Sequence, residues 1–302
     1  MDLSLSADQT AILDALDALA RPYASAPLHD AGFALTSAAL DRALQEGGFL
    51  DVGLDEDLGI GTAALIVERL TRLPQATPLT SAIIAPLLGV ETTAPICLIE
   101  TDKVHRPVRF LAECARVVVV GDTVTSFIAT ATQIRAEPEA LFAYPVGTLL
   151  ARADTREQHD IAPETLRTHW RIALATEAAG LLAAALESVC AHTSERQQFG
   201  RPLASFQSMR HRLAECQVRT NTLYWLAMKA AHTLDPADAA LAALHAQEST
   251  RVCVYDFHQF MGAMGMSLEH PLHLWTYRLK YLFGELGGRG ANALAVALSL
   301  WG

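Results

Sequence analysis

The chain has 302 residues, 51% hydrophobic and 19% charged, with a formal net charge of −10, enough apolar material for one large core or two to three smaller modules. An acidic balance without any clustered Lys/Arg run lacks the electrostatic footprint that nucleic acid requires, which sets DNA and RNA aside as partners. The five cysteines, at 97, 114, 190, 216 and 253, form no CxxC pair and no Cys/His spacing suited to zinc; they read as small buried hydrophobes, and no metal is expected.

Residues 1–92 read as an N-terminal helical domain. Ser6 stands before Ala7-Asp8-Gln9, and Ile12, Leu13, Leu16 and Leu19 recur at helical spacing, the pattern of a capped amphipathic helix. This opening has no basic n-region, so a cytoplasmic protein is expected. Further helices are expected near Ser37 to Gly47 and from Thr62 to Leu73, punctuated by Gly47-Gly48 and Pro74. Gly59-x-Gly61-x-x-Ala64 spells a dinucleotide fingerprint, but Asp55, Glu56 and Asp57 precede it instead of a hydrophobic strand, so it reads as a helix start.

Residues 93–158 read as a reduced β domain. Ile96-Cys97-Leu98-Ile99 and Val117 to Thr125 are β-branched runs, the second folded at Gly121-Asp122, and the module is expected to end near Leu150. Residues 159–302 return to helical periodicity at about 164–193, 203–232, 236–263 and 274–300, lengths that suit a four-helix bundle. The longest apolar runs, such as Gly180 to Ala185 between Glu177 and Glu187, are too short and too charged to span a bilayer. Glu269-His270-Pro271-Leu272-His273 has the residues of a metal site, yet Pro271 breaks the helix that would align its imidazoles. No GxSxG elbow or Walker loop occurs.

Two segments are poorly explained by packing. In Arg196-Gln197-Gln198-Phe199-Gly200-Arg201-Pro202-Leu203-Ala204-Ser205-Phe206-Gln207, Arg196 carries a planar, permanent charge suited to bidentate phosphate binding, with a surface ion pair to Glu195 or Glu215 as the structural alternative. Phe199-Gly200 bends the chain, Pro202 is expected to begin the next helix, and Gln207 offers an amide that donates and accepts. In Gln259-Phe260-Met261-Gly262-Ala263-Met264-Gly265, small residues permit close backbone approach; a helix C-terminus followed by a Gly turn explains the same letters.

These segments, Leu44 to Phe49, Gly59 to Leu70 and the order of domains resemble the acyl-CoA dehydrogenase family over essentially the whole chain. The resemblance implies a mainly α fold with a small β module: an N-terminal helical domain, a short middle β domain and a C-terminal four-helix bundle. It implies FAD, shared across a subunit interface, with Arg196, Gln207, Gln259 and Gly262 at the diphosphate end of a flavin held mainly by the neighbouring subunit and Phe199 offering the cofactor an apolar face. Ala263 departs from the Gly-Gly-x-Gly pattern.

The family's chemistry needs a carboxylate to remove the α-proton of a thioester while hydride leaves for the flavin. The two places where the resemblance puts that acid carry Leu286 and Trp170. Glu285 is one residue off, which on a helix is a rotation of about 100°, and otherwise reads as a solvated helix position. Between Thr92 and Arg156 there is neither a Thr-Glu-Pro-like loop nor a later Trp segment to grip the isoalloxazine. No catalytic residue is therefore assigned. The expectation is a non-catalytic short subunit of a heteromeric, FAD-dependent acyl-CoA dehydrogenase, in an α2β2 heterotetramer. Its expected partners are a full-length catalytic subunit, an acyl-CoA substrate, bulky and steroid-derived, and an electron-transfer acceptor. Two alternatives stay open: a self-sufficient homo-oligomer with Glu285 as base, and a scaffolding pseudoenzyme without flavin contact.

Overall fold

In the computed structural model, residues 4–26, 33–90, 94–103, 105–112 and 114–301 are described; the expected domain boundary at 92/93 lies outside them. Helix α1 (Ala7–Ala20) begins at a capping box, in which Ser6 Oγ accepts from the Gln9 N–H and Gln9 Oε1 accepts from the Ser6 N–H. Ser37 caps α2 (Ala38–Glu46) in the same sense, and α3 (Gly59–Thr71) starts at the fingerprint-like glycines. A further helix, α4 (Ser81–Leu88), escapes the sequence reading because its apolar SAIIAPLL run is buried nearly all round and so has no 3.6-residue period.

The β module consists of two small sheets. In one, β1 (Ile96–Glu100) runs parallel to β3 (Arg116–Val120), which forms a hairpin with β4 (Val124–Ile128) across Gly121-Asp122, and β7 (Glu157–His159) completes the edge. In the other, β2 (Pro107–Arg109) and β5 (Ile134–Ala136) flank β6 (Val146–Leu149). The module thus runs to His159, beyond the expected end at Leu150. Strand β3 shows why its run is purely valine: Val118 and Val120 join the helical core, while Val117 and Val119 face Cys97, Ile99 and Phe127 in a second core.

The C-terminal bundle is built on α5 (Pro163–Glu195), with α6 (Gln207–Thr233), α7 (Pro236–Met261), α8 (Leu272–Leu282) and α9 (Gly288–Trp301). Against expectation, α5 is long and apolar enough to cross a membrane, yet 83% of its most apolar window is buried within the protein, the character of a core helix. At Gly180 an added Cβ would lie 2.2 Å from the Glu68 carbonyl oxygen, so α3 crosses α5 at a distance only glycine allows.

Two expectations need correction. The segment at 274–300 is two helices, broken where Leu286 (φ 53°), Gly287 (φ 75°) and Gly288 (φ 71°) all turn left-handed. Pro202 does not begin the next α-helix: β8 (Gln197–Gln198) and β9 (Arg201–Pro202) form a small hairpin, Pro202 leads into a single 3-10 turn (Leu203–Ser205), and α6 starts at Gln207. Of the cysteines, Cys97, Cys216 and Cys253 are buried, Cys190 is half-buried and Cys114 is exposed.

Candidate functional site

The end of α5, the start of α6 and the end of α7 enclose a cleft of about 670 Å³. Arg196 is the residue after the last turn of α5, its N–H bonded to the His192 carbonyl (2.8 Å), and the returning hairpin closes on it through the Leu203 N–H to the Arg196 carbonyl (3.0 Å). Arg196, Gln259 and Gly262 all line this cleft, and among the described residues no carboxylate does. Arg196 forms no ion pair among the described residues; in particular, Glu195 and Glu215 do not hold it. The other arginine of the cleft, Arg212, is engaged by Asp256 from α7 and lies over the Phe260 ring, 4.8 Å from its centroid.

Gly262 has φ 57° and ψ −132°, a conformation essentially closed to residues with a Cβ, although a Cβ built there would meet open space. Backbone geometry therefore fixes this glycine, while the open surface above it leaves the chain approachable. Phe199 and Gln207 do not line the cleft. Phe199 sits at φ 55° in the hairpin turn with Gly200 (φ 78°) and is 87% exposed, meeting Phe206 edge-on at 6.0 Å. Gln207 opens α6 on the surface, its amide 3.5 Å from His211. A second cleft, of about 730 Å³, shares Gln259 and Gly262 and continues past Tyr255, His258 and Lys280.

Trp170, one of the two positions where the resemblance puts an acid, meets Glu285, the residue beside the other position, Leu286. Trp170, on α5, donates its indole N–H to Glu285 Oε2 (3.0 Å), and the other Glu285 oxygen faces Arg109 Nε at 3.0 Å. Glu285 lies in the break between α8 and α9, at the start of a distorted 3-10 turn rather than on an α-helix, so the 100° rotation does not apply, and it is almost buried rather than solvated. Arg109, from β2, also pairs with Glu177 of α5 and donates to Thr80 Oγ1 (3.0 Å), while the Tyr144 hydroxyl donates to Glu177 (2.6 Å).

Burial raises the Glu285 carboxyl above its ordinary range, and Arg109 and Trp170 draw it back only in part. Burial alone would lower Arg109, but Glu177 and Glu285 hold it well above its usual value, so the guanidinium stays charged. The remaining space in this corner is small, about 230 Å³ on the side of Lys103 and Phe142 and about 10 Å³ beside Cys97 and Phe110, below the usual range for a ligand site. Sequence reasoning missed Arg109, Glu177 and Tyr144. A lone arginine on a three-residue strand carries no signal, and Glu177 reads as a charge bounding an apolar run.

A helical domain, a small two-sheet module and a bundle of long helices define the acyl-CoA dehydrogenase fold. Residues 161–288 match the family described as acyl-CoA dehydrogenase, C-terminal domain, and this chain carries that domain. Among curated relatives, the acyl-CoA dehydrogenase IpdE2 of Mycobacterium tuberculosis is 27% identical over 237 residues, 74% of each chain. Among solved structures, the ChsE4-ChsE5 complex from Mycobacterium tuberculosis superimposes with a TM-score of 0.79 at 18% identity, over 99% of each chain. The Tcur3481-Tcur3483 steroid ACAD variant does so with a TM-score of 0.80 at 21% identity, over 97% of this chain and 98% of that one. At those identities the structures share the fold.

Proposed function

We propose that this chain is a non-catalytic subunit of a heteromeric, FAD-dependent acyl-CoA dehydrogenase that desaturates a bulky, steroid-derived acyl-CoA. Its cleft at Arg196, Gln259 and Gly262 holds the diphosphate of a flavin whose reactive ring lies in a full-length partner subunit. The observation that carries this reading is the closure of the acid corner. Both oxygens of Glu285 are engaged, by Trp170 and Arg109, and the space beside them is too small for a thioester. With both oxygens occupied and no thioester-sized space beside them, the self-sufficient reading with Glu285 as base draws no support from this geometry.

The cleft residues fit a diphosphate. An exposed guanidinium without a carboxylate partner among the described residues, the Gln259 side chain and an approachable glycine backbone are the groups such an anion needs. Bound FAD supplies the redox chemistry of the desaturation, while Arg196 and Gln259 orient it and exclude water at its charged end. The heteromeric solved relatives and the steroid named for one of them agree with a paired assembly and a bulky substrate.

The test is expression of the chain alone and together with a full-length acyl-CoA dehydrogenase encoded beside it. The chain alone should carry no stoichiometric flavin, and the co-purified complex should be yellow and active. Stoichiometric FAD and acyl-CoA desaturation by the isolated chain would sink the proposal.

A further inference from the structure

The diphosphate cleft contains an imidazole that no resemblance assigns. His192 precedes Arg196 by one helical turn on α5 and lines the same cleft. We infer that His192 is a second ligand of the bound diphosphate, acting beside Arg196 only when its imidazole is protonated, so that this subunit's hold on the dinucleotide is coupled to pH. The inference rests on the reading of the cleft as a diphosphate site.

The charged and titratable groups that face His192 come from α5 itself, from the segment before α8 and from α6, while the hairpin and the end of α7 line the cleft with uncharged residues. On α5 itself Arg196 opposes a second positive charge and Glu195 favours it. The segment before α8 brings His270 edge-on, with ring centroids 6.2 Å apart. Across the cleft stands Arg212 of α6, already committed to Asp256 of α7. His270 does not compete for the proton: burial first, then His192 and His273, push it down to about 4, and its Nδ1 accepts the Leu272 N–H, which requires a neutral ring. His192 is thus the histidine of this pair that can charge.

In the free chain, burial and then Arg196 hold His192 below its ordinary value. A diphosphate placed between the two side chains reverses the Arg196 repulsion, because one anion then faces both cations, and the last turn of α5 also favours a cation at that end. Binding therefore takes up a proton. The sign follows: affinity is greatest at acid pH and falls as pH rises through the imidazole range.

The experiment titrates the full chain, and the co-purified complex after flavin removal, with FAD by fluorescence and calorimetry. FAD is a suitable probe because its diphosphate, esterified at both ends, keeps a fixed charge over this range. Binding about three- to tenfold tighter at about pH 5.5 than at about pH 8, with proton uptake seen as buffer-dependent heat, is expected. His192→Gln should abolish both the difference and the uptake, and His192→Lys, a fixed charge, should bind tightly at both pH values. A His192→Gln variant that keeps the wild-type pH profile overturns the inference. Absence of FAD binding by chain and complex at every pH overturns the diphosphate site itself. Displacement of FAD by excess coenzyme A, with the same His192 dependence, would assign the diphosphate to the thioester cofactor and overturn the flavin reading while keeping His192 as the ligand.

Discussion

At Glu285 a single carboxylate separates two functions. Its contacts to Arg109 and Trp170 make it part of the structure, so Glu285→Gln in the assembled complex should leave turnover within about twofold of wild type, since a general base contributes a hundredfold or more. The same change should lower thermal stability by about 1–3 kcal/mol, because Arg109 loses one of its two carboxylates. Steady-state kinetics and a melting curve on one preparation distinguish these roles. Phe199 makes the converse case. A large aromatic, 87% exposed and held at φ 55°, contributes little to the isolated chain. Phe199→Asn, which tolerates that backbone, should change the urea midpoint of the free chain by no more than about 0.5 kcal/mol equivalent while reducing flavin retention or assembly of the complex. The sequence exposed the Arg196 motif because its residue types have no packing rationale. It did not separate Arg196, which lines the cleft, from Phe199 and Gln207, which stand outside it, since spacing along a chain does not report which way a turn faces.

At the level of elements, the pairing of α3 with α5 depends on Gly180. A methyl group there would meet the Glu68 carbonyl oxygen at 2.2 Å and Thr71 Oγ1 at 2.0 Å, and a backbone carbonyl does not rotate away. Gly180→Ala should therefore destabilise the protein by about 1–3 kcal/mol, the usual range for overpacking, even though alanine is the better helix former. Chemical denaturation measures it, and a stabilised variant would show that the two helices can separate without loss. The periodic patterns of α1, α2, α6 and α7 were legible because each buries a stripe, while α3 and α5, buried nearly all round, were legible by their length and the turn residues that bound them. Helix α4 was not, for want of a polar face, and the break between α8 and α9 was hidden because a left-handed Leu286 has no sequence signal; only the following Gly287-Gly288 hints at it.

At the scale of the molecule, Arg109 ties the parts together: Thr80 from the N-terminal helices, Tyr144 from the β module, and Glu177 and Glu285 from the bundle converge on it. Arg109→Met would leave two buried carboxylates facing each other and should cost about 3–5 kcal/mol. Adding Glu177→Gln should recover part of that loss, a non-additivity a double-mutant cycle would detect. Acid sensitivity should come from the histidines. His270 is held near 4 and His169 and His258 are also lowered, burial being the first cause for each, so the unfolded chain binds more protons than the folded one. Their contribution is fully present above the ordinary imidazole value near 6.5 and is lost as pH falls from there towards about 4, where the melting temperature should drop steadily. Glu285, raised by burial, works in the opposite sense and favours the folded state at lower pH.

By itself the sequence determined the domain order, most of the helices, the valine-rich strands and the presence of a phosphate-competent Arg196 motif, because these depend on local periodicity and on residue chemistry that survives unfolding. Only the tertiary structure decided that Trp170 and Glu285, 115 residues apart, share a hydrogen bond, and that Arg109 joins Glu177 and Glu285 in one buried cluster. A buried ion cluster is assembled from single residues on separate elements. Its members become partners only when the packing of helices and sheets removes the water between them.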